Sequence, residues 1–107
     1  MGYFTYFWLR LENAGEQEAE IIGDLRATYE DADDGIDEEG DAIQKVAWSS
    51  HVEDMVEVSK KYPQVVFLLE GECEEHGVYW KHYFKNGKQQ VVRGVMTYPA
   101  YDEAKLI

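Results

Sequence analysis

Residues 62–88, YPQVVFLLEGECEEHGVYWKHYFKNGK, constrain the fold of this chain more than any other stretch. The apolar run at 65–69 is too short for a helix and starts with β-branched residues, so it predicts a strand buried on both faces. An acidic connection follows, and residues 78–85 predict an aromatic strand. Asn86-Gly87 is a strong hairpin signal, because a type I′ turn needs positive φ at both positions. A two-residue turn places Lys85 opposite Lys88.

Two elements are predicted before the acidic part of the chain. Residues 3–11 carry β-forming side chains on both faces, which is typical of a central strand. Residues 16–29 predict a helix, because Ile22, Leu25 and Tyr29 recur at helical spacing.

Further elements follow the acidic part of the chain. Residues 42–49 alternate in polarity and predict a short strand. Residues 50–62 predict a helix that begins with a capping box. In this motif the Ser50 side chain accepts a hydrogen bond from a free backbone amide of the first turn, and the Glu53 side chain accepts one from the amide of Ser50. Residues 89–98 complete the hairpin.

The predicted element order is β-α-β-α-β-β-β. It favours an α+β fold, a two-layer sandwich with both helices on one face and a C-terminal antiparallel meander, and a ferredoxin-like arrangement is the nearest common plan. A chain of 107 residues fits a single domain spanning residues 1–107.

The charge of the chain is concentrated in one part. The formal net charge is -12, and residues 16–41 hold twelve acids against one base, Arg26. Such a field repels nucleic acids and anionic membranes and attracts basic protein surfaces. We therefore predict a docking surface for a basic partner, formed by Asp31, Asp33, Asp34, Asp37, Glu38, Glu39 and Asp41.

Two other interpretations of residues 30–41 remain open. The segment EDADDGIDEEGD could be a solvated loop without a partner, because runs of like charge are commonly exposed. The segment nearly matches a calcium-binding loop, but Asp31, Asp33 and Gly35 do not stand at the positions that this motif requires.

A second candidate site surrounds residues 70–76. Glu72, Cys73, Glu75 and His76 could bind a small ligand or a cation at the bend after the buried strand. The three histidines lack a metal-pair spacing, so no metal site and no cofactor are predicted. The carboxylates beside Cys73 make it a poor candidate for a nucleophile.

These patterns contain no catalytic motif, so a non-enzymatic protein is expected. A single cysteine excludes an internal disulfide, and the N-terminal residues lack the basic leader of a secreted protein. We expect a cytoplasmic protein, either a monomer or a homodimer.

Residues 54–88 also resemble a family of uncharacterised phage, plasmid and gut-bacterial proteins with a YubB-like domain. The resemblance lies in SKKYPQVVF, LLEGECEE and WKHYFKNGK, and the tail MTYPAYDEAKL is similar too. It implies a ferredoxin-like fold and an accessory role in a mobile element, and it implies no catalytic residues. We therefore expect an interaction module that engages a basic, nucleic-acid-binding protein, with the ligand site at residues 70–76 as the alternative.

Overall fold

The computed structural model describes residues 4–73 and 79–92. They form an α+β structure in which helices precede a strand meander. The elements are β1 (Thr5–Glu12), a 3₁₀ turn (Gly15–Gln17), α1 (Glu18–Thr28), α2 (Glu30–Gly35), α3 (His51–Lys61), β2 (Val66–Cys73), β3 (Tyr79–Lys85) and β4 (Lys88–Val92). None of the helices in these ranges is long and apolar enough to cross a bilayer.

The four strands within residues 4–73 and 79–92 form one antiparallel sheet in the order β1-β2-β3-β4. The predicted hairpin is confirmed: Asn86 and Gly87 have φ values of 49° and 77°, and Lys85 lies opposite Lys88. This register places His82 opposite Val91. The register of β3 with β4 is therefore set by a turn of two residues.

The strand predicted at 42–49 is wrong. Ala42 and Val46 make only isolated bridges, the first to Ile36 and the second to Thr5. Thr5 and Val46 exchange two backbone hydrogen bonds of 3.0 Å, and the amide of Leu9 donates to Gly40 O at 2.8 Å. The segment therefore covers the edge of β1 at separate points, which satisfies edge amides without extending the sheet.

The described order, with three α-helices between β1 and β2, differs from the predicted β-α-β-α-β-β-β. The added helix, α2, lies in the acidic segment, where a loop was expected. The usual element order of a ferredoxin-like fold is β-α-β-β-α-β, which is not the order described here, and every strand pair described here is antiparallel. The ferredoxin-like arrangement therefore stays a prediction.

The core lies between one sheet face and the helices. Alternate residues of β1 and β2, such as Phe7, Leu9, Phe67 and Leu69, are buried. The helices contribute the buried side chains of Ile21, Ile22, Leu25, Met55 and Val58. The opposite face, with Tyr6, Trp8, Leu68 and Tyr83, is half-buried and includes no fully buried residue of β1–β3.

Helix α3 begins without the predicted capping box. The Ser50 side chain makes no cap hydrogen bond to a backbone amide and instead donates to Asp54 Oδ2 at 2.9 Å. Trp48 Nε1 donates to the same oxygen at 2.8 Å. The carboxylate of Asp54, rather than that of Glu53, therefore ties the start of the helix to a buried indole.

Candidate functional site

The acidic segment, residues 30–41, is folded against the core rather than solvated throughout. It starts with α2, in which Ala32 is fully buried. Gly35 lies so close to Val46 that a Cβ at this position would be 2.7 Å from the valine Cγ2. Ile36 follows and is also fully buried. These apolar residues hold the carboxylates on either side at the surface.

The turn after α2 is stabilised by Asp37. Its Oδ1 accepts hydrogen bonds from the amides of Glu39 and Asp41, both at 2.9 Å. These two bonds lower the pKa of the Asp37 carboxyl, because they favour its charged form. Gly40 has a φ of 84° and approaches Leu9 so closely that a Cβ would be 2.3 Å from its carbonyl oxygen. The turn is therefore fixed to β1.

Two further carboxylates of the segment are paired with arginines. Asp41 accepts from Arg10 of β1, and Asp33 Oδ1 lies 3.1 Å from Arg26 Nη2 of α1. Exposed pairs of this kind stabilise a fold by about 0–1 kcal/mol each. Three members of the predicted docking set, Asp33, Asp37 and Asp41, thus have partners within the protein.

The other four members are exposed and have no charge partner in the described part of the chain. Asp31 and Asp34 lie on α2, and Glu38 and Glu39 lie in the turn. Their carboxylates make no ion pair or hydrogen bond with any residue in 4–73 or 79–92. These are the carboxylates that a basic partner could contact without breaking an internal interaction.

A groove joins the acidic turn to the beginning of α1. It has a volume of about 370 Å³ and is lined by Glu16, Glu18, Glu38 and Glu39 together with Ala19 and Ile22. Ile22 is 1% exposed and is also part of the core. We call this the acidic groove. It combines four charges of one sign with the small exposed side chain of Ala19.

Glu16 and Glu18 were not among the predicted docking residues. Their charges near the start of a helix are also explained by the helix dipole, which favours acids there. The signal that could have identified them is the acidic run itself, which extends unbroken by any base from Glu16 to Arg26. Only the packing of the turn against α1 brings the two groups together.

The second candidate site is described only in part. Glu72 is exposed, and Cys73 is half-buried at the end of β2. Glu75 and His76 lie outside the described residues. Within residues 4–73 and 79–92, no three His, Cys, Asp or Glu side chains are grouped so that they could hold a metal ion.

The two histidines of the described residues take part in aromatic packing. His51 stacks on Trp80 with ring centroids 5.0 Å apart, and its Nδ1 lies 2.8 Å from the carbonyl oxygen of Trp48. His82 is 5% exposed, stacks on Phe84 at 4.3 Å and lies within hydrogen-bonding distance of Gln89. Burial lowers the pKa of His82, because the charged ring would lose its hydration. The His51 ring connects α3 to β3, whereas His82 packs against residues of β3 and β4.

Comparisons with known proteins add no identification: no family model, no curated protein and no solved structure matches this chain. The resemblance to the YubB-like family therefore stays a prediction.

Proposed function

We propose that this protein is a non-enzymatic interaction module whose acidic groove docks a basic segment of a partner protein. The single observation that carries the proposal is the groove itself, in which the four acidic residues Glu16, Glu18, Glu38 and Glu39 stand together with the exposed side chain of Ala19. A peptide with lysine or arginine beside an aliphatic residue is complementary to this arrangement in charge and in polarity.

The neighbouring carboxylates of Asp31 and Asp34 extend the negative field beyond the groove. Unpaired charges of one sign accelerate the encounter with a partner of opposite sign, and the acceleration weakens as salt is added. Asp33, Asp37 and Asp41 have a different role in this proposal, because they hold the turn in place. The proposed docking residues therefore exclude Asp33, Asp37 and Asp41, which were predicted, and include Glu16 and Glu18, which were not.

The resemblance of residues 54–88 to the YubB-like family supports two finer parts of the proposal. The first is an accessory role in a phage or plasmid, in the cytoplasm, where a basic nucleic-acid-binding protein would be the partner. The second is a ferredoxin-like arrangement of the complete fold.

The proposal is tested by measuring the binding of a fluorescent arginine-leucine repeat peptide by anisotropy at low and moderate salt. The groove variant E16Q/E18Q/E38Q/E39Q should bind at least about tenfold more weakly, because four charge contacts of about 0.2–1 kcal/mol each are removed. The matched control E12Q/E53Q/E57Q/E72Q removes the same charge from exposed positions outside the groove. It should change the affinity by less than about threefold.

Equal losses in the two variants would reduce the interaction to net charge and would contradict a docking groove. Absence of binding by the wild-type protein to arginine-rich peptides of varied spacing would remove the proposal altogether.

A further inference from the structure

The end of the molecule that carries the β3–β4 turn is basic although the protein as a whole is acidic. Lys85 and Lys88 lie opposite each other beside the turn, and both are exposed. Lys60 of α3 joins them, because its side chain packs so closely on Gly87 that a Cβ there would be 2.8 Å from the lysine Cε. The Gly87 amide also donates to Ser59 Oγ at 2.8 Å, which fixes the turn to α3.

These three lysines have no internal charge partner among residues 4–73 and 79–92. The other lysines on the neighbouring elements do: Lys61 Nζ lies 3.8 Å from Asp24, and Lys81 Nζ lies 3.9 Å from Glu70. Within the part of the chain that the structure describes, the ammonium groups of Lys85 and Lys88 are therefore available to a ligand.

A shallow pocket of about 380 Å³ opens between the lysines of the turn. Val66, Tyr83 and Phe84 form its apolar lining, and the polar lining residues are Lys85, Lys88, Gln89 and Gln90. We call this the lysine pocket. Glu12 of β1 is the strand partner of Val66 of β2, so it lies in the same row across the strands, on the other side of Val66 from Lys85. It is the nearest carboxylate in that row of the described strands.

We propose that the lysine pocket binds an acidic linear segment of a second partner protein. An apolar side chain of that segment contacts Val66 and Tyr83, and carboxylates on either side of it pair with Lys85 and Lys88. Lys60 lies on the helix side of the turn, in a separate hollow that Glu53 and Glu57 also line, and is not part of this site. This site is separate from the acidic groove, so the protein would join a basic partner to an acidic one.

A peptide fits this site better than a nucleic acid does for two reasons. Among the described residues, the lining combines valine and tyrosine surface with two cations, which suits a segment of mixed acidic and apolar residues. A protein of net charge -12 would in addition repel a polyphosphate chain more strongly than a short acidic peptide, because the peptide carries less negative charge.

The test uses a fluorescent glutamate-leucine repeat peptide and the full-length chain at low salt. The variant K85Q/K88Q should bind this peptide about fivefold or more weakly than the wild type, because two charge contacts are lost. The control K61Q/K81Q removes the same charge from lysines that are already paired, and should change the affinity by less than about twofold. The substitution E12Q should strengthen binding slightly.

Three outcomes would overturn the proposal. The first is no measurable binding by the wild type, or an equal loss in the control. The second is tighter binding of single-stranded oligothymidylate than of the peptide, which would make the ligand a nucleic acid. The third is self-association in sedimentation velocity that K85Q/K88Q abolishes, which would make it a second copy.

The groove variant E16Q/E18Q/E38Q/E39Q separates this proposal from the one above. It should bind the glutamate-leucine peptide at least as tightly as the wild type, because its acidic surface repels the peptide less.

Discussion

Gly71 shows how a single missing side chain decides a packing arrangement. It lies opposite Trp80 across β2 and β3, and a Cβ at this position would be 2.2 Å from the indole Cζ2. The indole covers the glycine and meets Phe7 edge-on, with ring centroids 5.9 Å apart. A strand glycine is otherwise unfavourable, so its presence here reflects the close approach of the ring.

The substitution Gly71→Ala should lower the free energy of unfolding by about 1–3 kcal/mol, because Trp80 must leave its position. The matched control is Gly23→Ala, at an exposed position in α1 where a Cβ meets nothing within 4 Å. The control should raise the free energy of unfolding by about 0.5–1 kcal/mol, because alanine is the better helix former. Urea denaturation measures both, and a neutral Gly71→Ala would contradict the packing described.

At the level of elements, the acidic segment depends on its apolar anchors. Ala32 and Ile36 are fully buried on either side of Gly35, so α2 and the following turn form part of the core layer. Charged residues alone would leave this segment unfolded, because carboxylates of one sign repel each other and bury no apolar surface.

The substitution Ile36→Ala should therefore lower the free energy of unfolding by about 2–4 kcal/mol, since it leaves a cavity at a fully buried site. The control Ile43→Ala, at a residue that is 55% exposed, should change it by less than about 0.5 kcal/mol. If Ile36→Ala also weakens binding of the arginine-leucine peptide at a temperature where the protein remains folded, the anchor positions the acidic groove. Unchanged stability would contradict the burial of Ile36.

At the scale of the whole molecule, charge is separated between two surfaces. The acidic groove belongs to α1 and the turn after α2, and the lysine pocket belongs to the β3–β4 turn. Unpaired like charges in the first surface destabilise the folded state by self-repulsion, and dissolved salt screens them.

The free energy of unfolding of the wild type should consequently rise as sodium chloride increases from about 20 to 300 mM. The groove variant E16Q/E18Q/E38Q/E39Q should be more stable than the wild type at low salt and should respond less to added salt. Thermal denaturation across the salt series measures both effects. A wild-type stability that falls over this range would mean that ion pairs such as Arg10–Asp41 outweigh the repulsion.

Local patterns in the sequence determined most of the elements. The apolar run before Glu70 predicted β2, although the strand continues to Cys73, and Asn86-Gly87 predicted the turn and the register of β3 and β4. Helical spacing of apolar residues likewise identified α1 and α3. These predictions succeed because hydrophobic period and turn chemistry act over a few neighbouring residues.

Only the tertiary structure decided what the acidic residues do. Asp33, Asp37 and Asp41 are equivalent to Asp31 and Asp34 in the sequence, yet the former are paired because Arg26, Arg10 and backbone amides lie beside them. Contacts between distant segments also made residues 42–49 a cover for the edge of β1 instead of a strand. Such roles depend on which side chains the fold brings within a few ångströms, and no local pattern contains that information.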